Sequence, residues 1–518
     1  MKKFISKPAA LIKFMLLAVL AVSFIACGYD DPKEEREKMA ADYYAEDGVA
    51  RSALIEAETL KRYIDAGYVT PDGKKVLILY VTAQNSMPSD YGSIKGAYFF
   101  DQEDYFMEAR SDGPITDSAM VASGAKINAF LREFGIDMNT LVVLTSYGHD
   151  NQMLSRAFWT LKYWGFSNKH VKVLHGTDKY FFDAFATANG GQAFIDQYKA
   201  PFRTDKPTPS TFSVKELPGG KMDSYRAPIG EVLDYVKAGA LKADGTGSAV
   251  VISTMNASVA VTKSGSTTTE TYVIGNSRLI EGRINGATQL ALTYSEDLDA
   301  KTEGNQPGYN NAWSQYIDSV TGKFKTEEEL RALIKGLTTD GTAAASFLPE
   351  DKNKRIMFHC VTGRTTAPHW FVAREILGYT NAAIYDGSWS EWTNLTYYGA
   401  VNSKDTFVNQ QGTSVTPATE YVNYDFNTGY FTKSSDGSIA NVAPNSIQNN
   451  IKWDTARYTR FLTFNGKTST AAYDNSYNGD GREINKKDKA YQAGEFSADE
   501  GGNSGGAASG GGSAPAGC

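Results

Sequence analysis

The run Arg355-Ile356-Met357-Phe358-His359-Cys360 decides how this chain is read. It is apolar, too short for a typical helix, and ends in a cysteine. A polar turn follows, Val361-Thr362-Gly363-Arg364-Thr365, and then an apolar-periodic stretch, 366–377, stopped by Gly378. A short apolar run, a turn and a helix read as one strand of a parallel sheet, because a strand covered on both faces has no polar side to show. Working outward, 382–385 reads as the next strand and 249–253 as an earlier one. The spacing predicts a helix over 229–238. The Thr-x-x-Glu box from Thr326 to Glu329 opens another that runs to 335.

The same layout occurs upstream. Strands are expected over 75–81, 140–145 and 171–174, and helices over 58–66, 125–134 and 154–164. Leu141 to Ser146 parallels Arg355 to Cys360; each is followed by a loop and a helix bearing a tryptophan, Trp159 or Trp370. The fold class is therefore α/β, with two tandem copies, each a parallel sheet flanked by helices. The copies are expected over 50–200 and 223–395. Residues 201–222 contain Pro201, Pro207, Pro209 and Pro218 and read as a semi-extended connector. Residues 396–498 form a polar, aromatic extension without a motif, and 499–518 a disordered Gly/Ser tail.

The chain has 518 residues and a formal charge of -7, so it lacks the basic footprint of a nucleic-acid binder. Three cysteines, Cys27, Cys360 and Cys518, are too few and too scattered for a disulfide framework or a cysteine zinc site. The five histidines do not pair at ligand spacing, so neither metal nor cofactor is expected. At the amino terminus, Lys2, Lys3, Lys7 and Lys13 precede an apolar run over 14–25 that is short for a membrane span. The run ends in Phe24-Ile25-Ala26-Cys27, which resembles the lipobox of bacterial lipoproteins, with Phe24 where leucine is usual. The resemblance implies a signal peptide over 1–27, lipidation at Cys27 and a lipid anchor in the cell envelope. Gly28 in place of aspartate favours the outer membrane.

Cys360 stands at the carboxyl end of an expected parallel strand, the edge where ligands of open α/β sheets bind. Backbone N–H groups of Val361 to Thr365, and the start of the following helix, can surround the sulfur and favour its thiolate. Gly363 lets the turn close tightly. Thr362 and Thr365 bring hydroxyl donors, and Arg364 a fixed positive charge. A thiolate held this way suits attack on a sulfur electrophile.

His359-Cys360-Val361-Thr362-Gly363-Arg364-Thr365, then Trp370-Phe371, then Tyr385-Asp386-Gly387-Ser388-Trp389-Ser390-Glu391-Trp392, resembles the catalytic domain of tandem-domain rhodaneses, the thiosulfate and 3-mercaptopyruvate sulfurtransferases. Glu281-Gly282-Arg283-Ile284-Asn285-Gly286-Ala287 looks like that family's Gly-His-Ile-Pro-Gly-Ala segment. The resemblance implies that Cys360 takes a sulfane sulfur as a persulfide and passes it to a thiol or cyanide. Val361, Thr362, Gly363, Arg364, Thr365 and Arg283 would line the substrate. Ser146 replaces the cysteine in the first copy, which would be inactive. Ser253-Thr254-Met255 departs from the family's Asp-x-Arg, and Arg283 from its histidine. Cys518, on its glycine-rich arm, is either a chance exposed thiol or an accessory one that accepts sulfur from Cys360. The competing reading is a non-catalytic envelope protein whose Cys360 loop binds an anion or a protein partner.

Overall fold

The computed structural model describes residues 32–82, 92–113, 116–146, 151–219, 221–242, 245–254, 258–260, 284, 286–289, 293–295, 316–318, 321–336, 348–360, 362–392, 407–408, 414–415, 421–425, 430–433 and 480–495. Residues 1–46 and 47–518 are separate compact units. The first carries the helix Pro32–Tyr43. All that follows concerns the second.

The first sheet has five strands: β1 (Leu54–Ile55), β2 (Lys75–Thr82), β3 (Tyr98–Asp101), β4 (Thr140–Thr145) and β5 (Val171–Leu174). They lie in the order β1-β5-β4-β2-β3, every neighbour parallel. The second has four: β6 (Ala249–Ser253), β7 (Thr288–Gln289), β8 (Arg355–His359) and β9 (Ala382–Ile384). Their order is β7-β6-β8-β9, again all parallel, and Arg226 bridges Ile384 at the far edge. The two sheets thus share a strand order, with β4 and β8 in matching central places.

Apolar runs dictate these strands. Residues Val76 to Thr82 of β2 and all of β4 and β8 are buried. Fully burying side chains such as Val251, Met357 or Ile384 contributes on the order of 2 kcal/mol each before chain entropy is charged. The helices follow their 3.6-residue stripes: α1 (Ala57–Asp65), α2 (Gly124–Glu133), α3 (Asn151–Tyr163), α4 (Ile229–Lys237) and α5 (Glu327–Gly336). The capping box at α5 is reciprocal: Thr326 N–H donates to Glu329 Oε2 at 2.8 Å, and Glu329 N–H to Thr326 Oγ1 at 3.3 Å. Helix α6 (Ala367–Phe371) runs on into a π-type turn, Val372–Ile376, and ends at Gly378 with φ of +79°.

Two regions gain detail. The connector over 201–222 is irregular but laid down on the first half. Phe212, Val214 and Leu217 are buried, and Ser210 Oγ donates to Ile136 O at 2.7 Å. Its proline pattern hid three apolar residues that need cover. The extension contains two antiparallel hairpins, Phe407–Val408 with Ser414–Val415 and Tyr421–Asp425 with Tyr430–Lys433. It ends in helix α7 (Glu483–Gln492), which bonds to both halves. Asp488 pairs with Arg110 (2.9 Å) and accepts from Tyr163 Oη (2.6 Å), while Asn485 bonds Arg226 (2.8 Å) and Asp223 (2.9 Å). Among the described residues no helix is long and apolar enough to cross a membrane.

Candidate active site

Cys360 directly follows β8, and its backbone is fixed from two sides. Its N–H donates to Ser388 Oγ at 3.3 Å, and its carbonyl accepts from Trp389 N–H at 2.9 Å. Ser388 holds a left-handed φ of +53°, secured by its hydroxyl on Tyr385 O at 2.7 Å. On the other flank, Thr254 N–H and Oγ1 reach His359 O at 2.8 and 3.1 Å, tying β6 to β8 one residue before the sulfur. Ser253 Oγ and His359 Nε2 are buried without a hydrogen-bond partner. Burial, opposed by a hydrogen bond between its ring and the Cys360 carbonyl at 3.2 Å, pulls His359 down to about 4, so it is neutral at pH 7.

The turn after Cys360 is tight. Gly363 has φ of +76°, and a Cβ there would stand 2.6 Å from Arg156 Nη1 and 2.9 Å from Asp386 O. Among the described residues, the backbone N–H groups of Gly363, Arg364, Thr365 and Thr366 find no acceptor, and Thr366 Oγ1 is buried without a partner. Consecutive unspent donors before a helix are what an anion needs.

Charge comes from unexpected places. Arg156, on α3 of the first half, is fully buried; its Nη1 donates to Gly363 O at 3.1 Å and its Nη2 to Ala119 O at 3.2 Å. The guanidinium lies 4.2 Å from the Trp159 ring and 3.4 Å from Asp386 Oδ2. Burial lowers it to about 10, opposed by Asp386 and then by Cys360. Asp386 also meets Arg226 Nε at 2.6 Å, close in distance though not aligned as a hydrogen bond, and accepts from Val121 N–H at 2.8 Å. Arg226 forks onto Asp112 at 2.7 and 3.1 Å. Burial raises the carboxyls of Asp112 and Asp117, and that of Glu391 well above the usual range.

Set against the sequence, Cys360, Thr362, Gly363, Arg364 and Thr365 come together in one turn. Arg283, Val361, Cys27 and Cys518 lie outside the described residues. Cys360 stands at the carboxyl end of its strand as expected, yet it has no solvent exposure and clusters with Met357, Tyr385 and Trp389. The aromatic residues of Tyr385 to Trp392 that carry the resemblance also bury the sulfur. The fixed positive charge of Arg364 pairs with Glu103 of the first half at 2.7 Å. Arg156, Arg226 and Asp386 were missed as site residues. The one available signal for Arg156 was a lone cation in the apolar stretch Met153-Leu154-Ser155-Arg156-Ala157-Phe158-Trp159.

Residues 278–395 match the rhodanese-like domain family. Across 329 residues the chain is 27% identical to the sulfur carrier protein TtuD of Thermus thermophilus, covering 62% of this chain and 89% of that one. It is 33% identical over 128 residues to a Saccharopolyspora erythraea protein provisionally named thiosulfate sulfurtransferase, covering 24% of this chain and 41% of that one. A crystal structure of YnjE aligns at a TM-score of 0.42 and 15% identity, covering 71% of this chain and 68% of that one.

Proposed function

We propose that this chain, a member of the rhodanese family, transfers sulfane sulfur through a persulfide on Cys360. The observation that carries this reading is the turn of Gly363 to Thr366, with its unspent N–H groups directly after the cysteine. In the first step the Cys360 thiolate attacks the outer sulfur of thiosulfate. A Cys360 S–S bond forms, the donor's S–S bond breaks, and sulfite leaves with the bonding pair. A mercaptopyruvate donor yields pyruvate instead, after taking up a proton. In the second step an acceptor thiolate or cyanide attacks the outer sulfur and regenerates the Cys360 thiolate. Because Cys360 is buried, each step requires its cover to open. The lipobox-like Phe24 to Cys27 supports placement of the chain on the bacterial envelope through a lipid on Cys27, with an envelope protein as a further partner. Mass spectrometry of the mature amino terminus tests that placement, and an unmodified Cys27 in the mature chain removes it.

The transfer test is release of thiocyanate, sulfide or sulfite from thiosulfate or mercaptopyruvate, wild type against Cys360→Ala. Turnover that vanishes with the cysteine, together with a 32 Da adduct on the Cys360 peptide, is the expected result. Absence of any adduct after exposure to both donors overturns it. Then the second reading stands, a non-catalytic anion- or partner-binding protein, which the complete burial of Cys360 and Ser253 in place of an acidic residue favour.

A further inference from the structure

We propose that Arg156, from the first half of the chain, is the positioning residue for Cys360, setting the turn and holding the sulfur in its anionic form. The inference rests on the sulfur-transfer reading and adds to it the residue that tunes the thiol. Two observations carry it. Arg156 Nη1 holds the Gly363 carbonyl at 3.1 Å. Peptide planarity then turns the next N–H, that of Arg364, the opposite way. The guanidinium is completely buried yet only partly satisfied: its Nε has no hydrogen-bond partner and its contact with Asp386 is a loose 3.4 Å. A buried cation with spare capacity and low surrounding dielectric acts strongly on a nearby anion. An anionic Cys360 in turn stabilises the charged guanidinium.

The other charges facing this spot do not replace it. Arg226 is already engaged by Asp112, Asp386 and Asn485. Arg364 is neutralised by Glu103, and His359 is uncharged at pH 7. Burial raises the carboxyls of Glu391 and Asp117 above the ordinary carboxylate range. Asp386 contacts the Arg156 guanidinium itself and opposes its charge.

The test follows alkylation of Cys360 against pH in the full chain, read on the Cys360 peptide so that the other cysteines do not interfere. Arg156→Gln is expected to move the midpoint up by roughly one unit, and Arg156→Lys to stay nearer wild type, because it keeps the charge. Asp386→Asn is expected to move it down, since a negative neighbour is removed. An Arg156→Gln profile that superimposes on wild type overturns the proposal. Should that variant fail to fold, an unshifted Asp386→Asn midpoint overturns it instead. Failure of the sulfur-transfer reading looks different: the midpoints shift as expected while wild type acquires no sulfur.

Discussion

The crests of the two sheets use one backbone for two chemistries. Strand β4 ends at Thr145-Ser146 and β8 at His359-Cys360. The Ser146 carbonyl accepts from Asp178 N–H at 3.1 Å, and the Cys360 carbonyl from Trp389 N–H at 2.9 Å. Before each donor stands a glycine followed by a non-glycine residue in left-handed conformation: Gly176 and Thr177 at φ of +59°, Gly387 and Ser388 at +53°. The side chains then part. The first crest buries Asp178, which accepts from Ser93 and from Thr145 at 2.6 Å. The second buries an indole against a thiol and takes a guanidinium from the other half. Conserving a turn geometry fixes where a group sits; its charge neighbours fix what it does.

Breaking the tie between the halves gives the largest effect. Asp488→Ala leaves buried Arg110 without its carboxylate and Tyr163 without its acceptor, and is expected to cost about 3–5 kcal/mol. Denaturant unfolding with both tryptophan fluorescence and far-UV signals measures it. If the halves unfold separately in the variant but together in wild type, α7 is what makes them cooperative.

Acid should press harder on the second half. Burial lowers His369 to about 3 and His359 to about 4 in the second half, against His170, at about 4, among the described residues of the first. Their folded values lie below the unfolded one near 6.5. Their contribution is therefore complete above that pH and is lost as pH falls toward 4. His369→Gln is expected to flatten the decline by on the order of 3 kcal/mol at pH 4. Melting temperature against pH, wild type beside variant, reads this directly.

Gly363→Ala and Gly176→Ala sharpen the contrast at smaller scale. Both glycines have positive φ, and an added Cβ meets Arg156 Nη1 at 2.6 Å in one case and Tyr180 Cβ at 2.4 Å in the other. Each is expected to lose about 1–3 kcal/mol. Only Gly363→Ala should also slow alkylation of Cys360 at pH 7.

Much of the fold was legible because β2, β4, β6 and β8 are unbroken apolar runs, and the helices carry clean stripes and caps. The edges were not. Strands β1, β3 and β7 are short, and α7 has little apolar periodicity to betray that Asn485 and Asp488 enter a polar interior. Cys360 and Gly363 could be read from local chemistry, the first as a strand-end thiol and the second as a turn glycine. Arg156 could not, because its role depends on α3 packing against a turn some 200 residues later in the chain. The burial of Cys360 was illegible for the same reason.

The smallest effect tests the comparison most severely. Ser146→Cys in a Cys360→Ser background puts a thiol on the matching crest. It should fold within about 0.5 kcal/mol of its parent, because the change is nearly isosteric. It should take no sulfur. The neighbouring Asp178, though burial raises it to about 6, is largely ionised at pH 7.5 and disfavours a thiolate beside it. Persulfide labelling of the residue 146 peptide after thiosulfate exposure decides the point. Sulfur loading there at a rate like that of Cys360 would mean that the turn alone activates the thiol, and that the cation from the other half is dispensable.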